Sequence, residues 1–490
     1  MIRAFAPTLG LVVALLVFAV TLFRGGALLG ADGDLFIHMA YGQALLDAGG
    51  VPAQDPVVFT TTVGDALILH EWASEVLFVV LHAAYGLAGP LVLLAVVVAG
   101  LPWLAYRRSI AQKHGVWVAL LSALLVYFGL ASHQLARPHL FTWVLVVALL
   151  WVLSRWQSGN WRWWDACAAV FGLGALWANL HGGGLLVAAL LIGVHWVGSV
   201  LAPTRPVSWW QGAPLLASAA LGSLVNPAGW HLHAHVVGFL SHTSENVAAD
   251  FGPPDLASGT LLTLVVLGVA IAVPTLMRWR HVAWTERILV VVVCAMGATS
   301  MRNLPLMGVI AAPMAPGALA GCMRAASGAE GTFASGARLA AEERGRGGWV
   351  LALGVVMAGL TWTTLQPPQL SGRAVPTDVA TWLNEHPEVK KSRGYAGYDA
   401  SGYLLHTAAL PSVYLHALNA NTPWYLMDEH RILERVEPGW SALLDRRKVQ
   451  WTCALQNSAL ADALDAHRCW QRSHTDDVWA VHTRNGSCRD

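Results

Sequence analysis

The sequence carries little charge for its length. Only 12% of its 490 residues are Asp, Glu, Lys or Arg, whereas soluble domains carry about 25%. The 30 basic and 29 acidic residues leave a net charge of +1, which excludes nucleic-acid binding as a main role. Hydrophobic residues make up 56% of the chain and the mean hydropathy is +0.51. The composition therefore predicts a membrane protein that crosses the bilayer many times.

Cysteine is also scarce, and its spacing excludes the common metal–thiolate sites. The six cysteines form no C-x-x-C pair and no Cys/His cluster of the zinc type. Cys453, Cys469 and Cys488 lie in the polar C-terminal region. If that region is exported, two of these three are expected to form a disulfide. The region also lacks GxGxxG, P-loop and GxSxG motifs, so no cofactor or nucleophile is predicted there.

Apolar stretches that can cross about 30 Å of hydrocarbon recur along most of the chain. We predict eleven spans, at residues 8–24, 88–106, 116–134, 138–156, 163–179, 183–201, 209–225, 258–277, 286–300, 303–321 and 348–365. The stretch 71–86 is interpreted instead as a helix lying at the membrane interface. Glu71 and Glu75, four residues apart, would place two carboxylates on one face of that helix.

Basic residues are distributed unequally between the two sides of the predicted bundle. Fourteen Lys and Arg residues fall in loops on one side, whereas only Arg24, Arg137 and Arg302 fall on the other before the C-terminal region. Cytoplasmic loops carry the excess of basic residues. The bias places the N-terminus in the cytoplasm and everything after residue 365 on the opposite side of the membrane.

The predicted fold class is a mostly α-helical, polytopic bundle of about 11 transmembrane helices with a small C-terminal α/β extracytoplasmic domain. The transmembrane domain covers residues 1–366 and has a large first external loop, residues 25–87. Residues 324–347 lack an apolar period and are predicted to form a flexible cytoplasmic loop. Residues 373–490 form the soluble domain.

Short strand-like and helix-like runs alternate within this soluble domain. The predicted strands lie at residues 412–415, 449–454 and 478–483, and the predicted helices at residues 377–385, 424–436 and 459–467.

The polar residues of the bundle collect on its predicted external side. Ionisable groups at membrane depth are costly and usually face a cavity or a partner. We therefore expect one polar site at the external mouth of the bundle. Its candidate residues are Asp32, Asp34, His38, Glu71, Arg137, His139, Asn179, His181, Arg302 and Asn303.

A D-x-D motif, Asp32 and Asp34, opens a predicted helix in the first external loop, and His38 follows Asp34 by one turn on the same face. A carboxylate at this position can act as a general base on an acceptor hydroxyl. It can also hold a divalent cation, Mg²⁺ or Mn²⁺, against a phosphate. The alternative is an N-cap, because Asp is favoured at helix starts.

Two external arginines, Arg137 and Arg302, run against the charge bias of the loops. The guanidinium group can grip phosphate oxygens at two points, which makes both residues candidates for anion binding. The alternative is that they extend to the interface or pair with loop carboxylates.

The segment Trp230–His235 places His231 and His235 four residues apart. The two imidazoles would share a helical face and are candidate metal ligands together with Asp32 and Asp34. The more common explanation is an amphipathic helix at the membrane interface, beside Trp230.

Several motifs, in their order along the chain, resemble a group of bacterial integral membrane proteins. The motifs are ADGDLFIHMAYGQALLDAGGVPAQDPVVFT, HEW, ARPHLFTW, WANLHGG, NPAGW, MRNLPL and SGYLLH. The group is similar to the GT-C superfamily of membrane glycosyltransferases, including the protein mannosyltransferase and aminoarabinose transferase types. The resemblance covers nearly the whole chain.

The resemblance implies that the first external loop supplies a catalytic acidic residue and that the donor is a polyprenyl-phosphate sugar. Asp34 or Asp32 is then the expected base or metal carboxylate, and Arg137, His139 and His181 join Arg302 as expected contacts to phosphate or sugar. The expected reaction transfers a hexosyl or pentosyl group to an unknown envelope acceptor (glycan, lipid or protein) in a single, inverting displacement.

Two other functional classes compete with a glycosyltransferase. A noncatalytic scaffold of an envelope polysaccharide or assembly system would explain why the C-terminal domain lacks catalytic motifs. A transporter would need polar residues near the midplane, often in repeated halves, and the sequence shows no internal repeat.

Overall fold

The computed structural model describes residues 6–62, 65, 67–204, 207–242, 252–311, 315–326, 332–343, 348–372, 374–416, 418 and 422–485. The chain forms two compact units. The first unit contains Met1–Arg24, Tyr85–Gly229 and Ala248–Pro367, and the second contains Gly25–Ala84, Trp230–Val247 and Pro368–Asp490.

The first unit is a bundle of apolar helices. Its helices are Leu9–Phe23, Ala88–Ala111, Val116–Ala131, His139–Gln157, Trp163–Leu180, Leu185–Leu201, Gly212–Ser223, Thr260–Met277, Trp284–Thr299, Leu304–Ala311, Ala315–Ala326, Thr332–Glu343 and Trp349–Leu365, with short 3₁₀ turns at Gly182–Gly184, Trp209–Gln211, Trp279–His281 and Met301–Asn303.

Several of these helices can cross a membrane. Among the described residues, four are long and apolar enough, or up to five if a bent helix pair counts as one span. The four are Ala88–Ala111, His139–Gln157, Gly182–Leu201 and Thr260–Met277, the third of which includes the 3₁₀ turn at its start. Leu9–Phe23, Val116–Ala131 and Trp349–Leu365 are apolar but shorter. The chain is therefore a multi-pass membrane protein, and the number of eleven spans stays a prediction.

Small residues let helices of the first unit approach closely. A Cβ atom added to Gly129 would lie 3.0 Å from the Cα atom of Gly308, and one added to Gly174 would overlap the backbone at Ala219. Membrane helices associate through such close packing because lipid tails are as apolar as the side chains.

The segment predicted to be a flexible loop, residues 324–347, contains the helix Thr332–Glu343. Ala340 of this helix packs among Tyr106 and Val116, and the Tyr106 hydroxyl donates a hydrogen bond to Glu343.

The second unit joins the first external loop to the C-terminal region. Its helices are Gly25–Leu29, Asp34–Ala48, Trp72–Tyr85, His231–His242, Thr377–Glu385, Pro387–Lys390, Ala400–Thr407, Trp424–Glu434, Trp440–Arg446 and Ala459–Asp465, and its strands are β1 (Gly394–Ala396), β2 (Trp451–Leu455), β3 (Trp470–Thr475) and β4 (Trp479–Arg484). The sheet has the order β1-β2-β4-β3, with β1 parallel to β2 and the other pairs antiparallel.

The predicted elements of the C-terminal region match this structure in part. The helix at residues 377–385 has the predicted bounds, and the strands predicted at 449–454 and 478–483 are β2 and β4 with small shifts. Residues 412–415 form no strand of the sheet; Val413 instead makes an isolated bridge to Val58. The sequence missed β1, which has only three residues, and β3, which is largely polar and only partly buried.

The cysteines of this region follow the predicted pattern as far as the structure describes them. Cys469 takes part in a disulfide, whereas Cys453 is a free thiol that is fully buried in β2. Cys488 lies outside the described residues.

A buried hydrogen-bond network connects the first loop to the C-terminal region. The hydroxyl of Tyr41 lies 2.8 Å from Asp55 Oδ2 and 2.7 Å from His416 Nε2. The amide of Leu418 donates to His416 Nδ1, so Nε2 carries the imidazole proton and donates it to the Tyr41 oxygen. Tyr41 then donates to Asp55, whose other oxygen accepts the amide of Val57. Each proton in this network has one acceptor.

A second close contact fixes the start of the helix Asp34–Ala48. A Cβ atom added to Gly402 would overlap the carbonyl oxygen of Gly33, the residue just before the helix. The helix Ala400–Thr407 therefore packs directly on the backbone of the D-x-D motif.

The buried histidines of the second unit predict a loss of stability in acid. Burial lowers the pKa of His416 to about 4, and it lowers the pKa of His406 and of His430 to about 4 as well. In the unfolded chain these groups titrate near about 6.5, so the unfolded state binds protons more tightly. The free energy of unfolding should keep its full value above about pH 6.5 and fall as the pH approaches 4.

Thermal unfolding of the purified chain across this pH range measures the effect. A His416→Gln variant removes one titrating group and should show a shallower pH dependence than the wild type. Equal slopes for the two proteins would contradict the assignment of His416 as a buried neutral imidazole.

Candidate functional site

Asp34 is the first residue of the helix Asp34–Ala48, and its side chain is buried. The Oδ1 atom of Asp32 accepts a hydrogen bond from the backbone N–H of Asp34 at 3.0 Å. Asp32 lies one residue before the N-cap, Gly33, which has no capping side chain, so the bond closes a turn ahead of the helix. The Asp34 carboxylate lies at the positive end of the helix dipole, which stabilises its charged form.

His38, one turn beyond Asp34, meets the two glutamates of the next helix. His38 Nδ1 lies 3.4 Å from Glu75 Oε1 and 3.7 Å from Glu71 Oε2, and His70 Nε2 lies 3.7 Å from Glu71 Oε1. All four side chains are buried. We call His38, His70, Glu71 and Glu75 the carboxylate–histidine cluster. The two glutamate carboxylates lie together, as their spacing predicts, but Glu71 precedes the first residue of the helix Trp72–Tyr85. The amide of Glu75 donates to the Glu71 carbonyl.

Glu75 and His70 are the residues of this cluster that the sequence did not single out as site residues, and Glu75 is the more deeply buried of the two. The Glu75 side chain is fully buried, and both burial and the nearby charge of Glu71 raise the pKa of Glu75 well above the usual value. Two buried carboxylates, one on a helix and one just before its first residue, that meet a buried histidine of another helix are a typical functional arrangement. The i, i+4 spacing was the available signal, but it gives no information about the partner helix.

The structure does not gather the four predicted metal ligands into one group. Among the described residues, the group of three or more potential ligands is His38, Glu71 and Glu75. His235 faces the carboxylate–histidine cluster, with its ring 5.6 Å from that of His70. His231 lies against Trp230 with 4.6 Å between ring centroids. A metal role for Asp32, Asp34 and these histidines stays a prediction.

The first unit brings together four of the predicted substrate residues. His139 lies within range of charge–charge interaction with Arg137, His181 and Arg302. We call these four residues the cationic cluster. His133 joins them, with its ring 4.7 Å from the His139 ring. The Nε2 atom of His139 is buried and has no hydrogen-bond partner among the described residues.

A chain of hydrogen bonds orients His181 within the cationic cluster. The indole N–H of Trp177 donates to Thr142 Oγ1 at 2.8 Å, and Thr142 Oγ1 lies 2.6 Å from His181 Nδ1. A neutral His181 that accepts the threonine proton at Nδ1 carries its own proton on Nε2, where it can donate to an anion. Thr142 and Trp177 are positioning residues that sequence reasoning missed, because both lie inside apolar helices.

Asn179 and Asn303 have structural partners in the first unit. The Asn179 amide nitrogen donates to the carbonyl oxygens of Ala175 and Val225, and the Asn303 amide nitrogen donates to the carbonyl of Met296. These bonds satisfy backbone groups at helix ends. Substrate contact by either asparagine stays a prediction.

The two clusters differ in what they can do. The cationic cluster offers guanidinium and imidazole donors, which suit a phosphate group. Asp34 and the carboxylate–histidine cluster offer carboxylates, which suit proton transfer or a cation. The sequence predicts one polar site that contains residues of both kinds.

The glycine run after His181 gives a sharp test of this local geometry. A Cβ atom added to Gly184 would overlap both Trp177 Nε1 and Thr142 Oγ1, whereas one added to Gly183 would meet only His181 Nε2, at 3.9 Å. Gly184→Ala should therefore lower the free energy of unfolding by about 1–3 kcal/mol. Gly183→Ala, the matched control, should change it by less than about 0.5 kcal/mol.

Thermal unfolding of both purified variants measures the difference. Identical melting temperatures would show that the Trp177–Thr142 contact does not constrain the chain beside His181.

Known proteins resemble the chain in structure but not in sequence. The sequence matches no protein-family model and no curated protein. The structure is similar to the crystal structure of the Archaeoglobus fulgidus oligosaccharyltransferase tethered with an acceptor peptide, with a TM-score of 0.53, 11% identity, and coverage of 91% of this chain and 69% of that one. It is also similar to ArnT from Cupriavidus metallidurans bound to undecaprenyl phosphate, with a TM-score of 0.53, 14% identity and coverage of 98% of both chains.

Both of these proteins are GT-C glycosyltransferases, one an oligosaccharyltransferase and the other an aminoarabinose transferase. The resemblance expected from the sequence motifs is therefore confirmed at the level of the fold. The chain is a multi-pass membrane protein with the fold of the GT-C glycosyltransferases.

Proposed function

We propose that the protein is a membrane glycosyltransferase. It transfers a sugar from a polyprenyl-phosphate donor to a hydroxyl or amide of an envelope acceptor at the external face of the inner membrane. The observation that carries the proposal is the cationic cluster, in which two arginines and two histidines gather in a bundle of largely apolar helices. Such a group is costly in a membrane protein unless it meets an anion.

The cationic cluster is assigned to the phosphate of the donor. Arg137 and Arg302 can each grip phosphate oxygens in a bidentate manner, and His181 can donate from Nε2. These donors matter most as the bond breaks, because the departing polyprenyl phosphate gains negative charge. Donors already oriented in a site of low dielectric stabilise that charge without reorganisation.

Asp34 is assigned to the acceptor. In a single displacement the acceptor oxygen or nitrogen bonds to the anomeric carbon, while the bond from that carbon to the phosphate oxygen breaks. The acceptor proton passes to the Asp34 carboxylate, and the anomeric configuration inverts. The charged form of this carboxylate is favoured at its helix N-terminus.

The similar solved structures support a lipid-linked donor. The ArnT structure holds undecaprenyl phosphate, and the oligosaccharyltransferase structure holds an acceptor peptide. Both proteins have the same fold as this chain, and the fold alone fixes neither the sugar nor the acceptor.

Replacement of Asp34 tests its role as base. Purified protein is assayed for transfer of radiolabelled sugar from a panel of polyprenyl-phosphate sugars, with and without Mg²⁺ or Mn²⁺. Asp34→Asn keeps the shape of the side chain and should reduce the transfer rate by about 10²- to 10⁴-fold, the usual contribution of a general base. Asp47→Asn is the matched control, because Asp47 lies exposed on the same helix and bonds only Gln43 among the described residues.

Replacement of Arg302 tests the cationic cluster separately from the chemistry. Arg302→Gln should weaken binding of polyprenyl phosphate itself by about tenfold or more, because a charged hydrogen bond is worth about 1.5–3 kcal/mol. Arg155→Gln, at the opposite end of the helix that begins at His139, should bind the lipid as the wild type does.

Unchanged lipid binding in Arg302→Gln would remove the support for the donor site. A wild-type protein that transfers no sugar from any donor, with Asp34→Asn behaving as the wild type in cells, would favour the scaffold alternative.

A further inference from the structure

The carboxylate–histidine cluster has the geometry of a metal site. One potential ligand atom from each of His38, Glu71 and Glu75 lies within 4.8 Å of the other two. The three residues come from two helices, Asp34–Ala48 and the segment that begins the helix Trp72–Tyr85. Local sequence alone therefore does not explain their convergence.

The separations fit a small transition-metal ion. His38 Nδ1 lies 3.4 Å from Glu75 Oε1 and 3.7 Å from Glu71 Oε2. Ligands bound to Zn²⁺ at about 2.0–2.2 Å in a tetrahedral arrangement are separated by about 3.3–3.6 Å. The ion would need only small side-chain shifts to bind.

Glu75 supplies an independent sign of a missing partner. Its Oε2 atom is buried and accepts no hydrogen bond from any described residue, and the whole side chain has 0% exposure. A buried carboxylate oxygen without a donor is costly. The described ion-pair partner of Glu75 is a histidine, and the charge of Glu71 acts on Glu75 unfavourably.

We propose that His38, Glu71 and Glu75 bind one divalent transition-metal ion, with Zn²⁺ as the best match. An imidazole nitrogen with two carboxylates favours zinc over Mg²⁺ and Ca²⁺, which prefer sites made of oxygen alone. The +2 charge offsets the two buried carboxylates. This site is distinct from the D-x-D carboxylates assigned to the transfer reaction, and it does not depend on that reaction.

The ion would connect the helix that starts at Asp34 to the helix that carries Glu75. His70, whose Nε2 lies 3.7 Å from Glu71 Oε1, stands on the far side of the Glu71 carboxylate from His38. It can orient that carboxylate as an outer partner of the site. Outer partners of this kind usually affect metal affinity by about 10- to 100-fold.

Metal analysis of the purified full-length chain tests the proposal. The protein is stripped with a chelator, loaded with ZnCl₂, freed of excess metal and measured by mass spectrometry. The wild type should retain one zinc per chain. Glu75→Gln and His38→Gln should each retain less than a tenth of that amount, and His70→Gln should bind zinc about tenfold more weakly. Glutamine keeps the shape of the glutamic acid that it replaces, which favours folding of the Glu75 variant.

His82→Gln is the matched control, because His82 lies on the same helix as Glu75 but outside the cluster. It should retain one zinc per chain. Size-exclusion profiles and melting temperatures report whether each variant is folded. A folded wild type that retains no zinc overturns the proposal, and so does a folded Glu75→Gln protein that retains as much zinc as the wild type.

Cobalt substitution tests the site without any mutation. Co²⁺ in a four-coordinate site of nitrogen and oxygen ligands gives visible absorption bands that the six-coordinate aqueous ion shows only weakly. The loaded wild-type protein should show these bands, and added zinc should abolish them. A spectrum of the aqueous type would overturn the proposed coordination even if some metal is retained. Neither readout involves sugar transfer, so failure here is distinguishable from failure of the proposed enzyme activity.

Discussion

The arrangement of the second unit depends on the hydrogen bonds of the Tyr41 hydroxyl. This group is fully buried, yet it bonds both Asp55 in the first loop and His416 in the C-terminal region. A buried hydroxyl that lost either partner would carry a desolvation cost, so the network favours one relative arrangement of the two chain segments. Tyr41 lies on the same helix as Asp34 and His38. The network that satisfies Tyr41 therefore also fixes the helix that presents the candidate catalytic and metal-binding groups.

The sequence predicted those features that depend on local periodicity. The apolar runs gave the membrane helices, and the spacing of Glu71 and Glu75 gave the proximity of their carboxylates. The bias of basic loop residues singled out Arg137 and Arg302, which the structure places in one cluster with His139 and His181. Motif order led to the GT-C fold. Each of these signals depends on residues that are close in sequence, on composition, or on the order of motifs along the chain.

Features that depend on contacts between distant segments could not be read in this way. His38 and Glu75 are 37 residues apart, and nothing in either helix indicates the other. Thr142 and Trp177 look like ordinary residues of apolar spans until their hydrogen bond to each other is seen. Strand β3 is largely polar and only partly buried, so only its pairing with β4 identifies it. The contacts of Val58 with Val413 and of Tyr41 with His416 also connect residues that are far apart in the sequence.

The second unit consists of three separated stretches of chain. This separation constrains the order in which the unit can fold during synthesis. Gly25–Ala84 leaves the ribosome long before Pro368–Asp490 does. During synthesis the hydroxyl of Tyr41 has no His416 to bond, and β2 and β4 do not yet exist. The first loop must therefore remain incompletely folded until nearly the whole chain is synthesised. A chain cut short before residue 416 would leave this loop exposed to the quality-control proteases of its compartment, so the last hundred residues act as a checkpoint on the completeness of the protein.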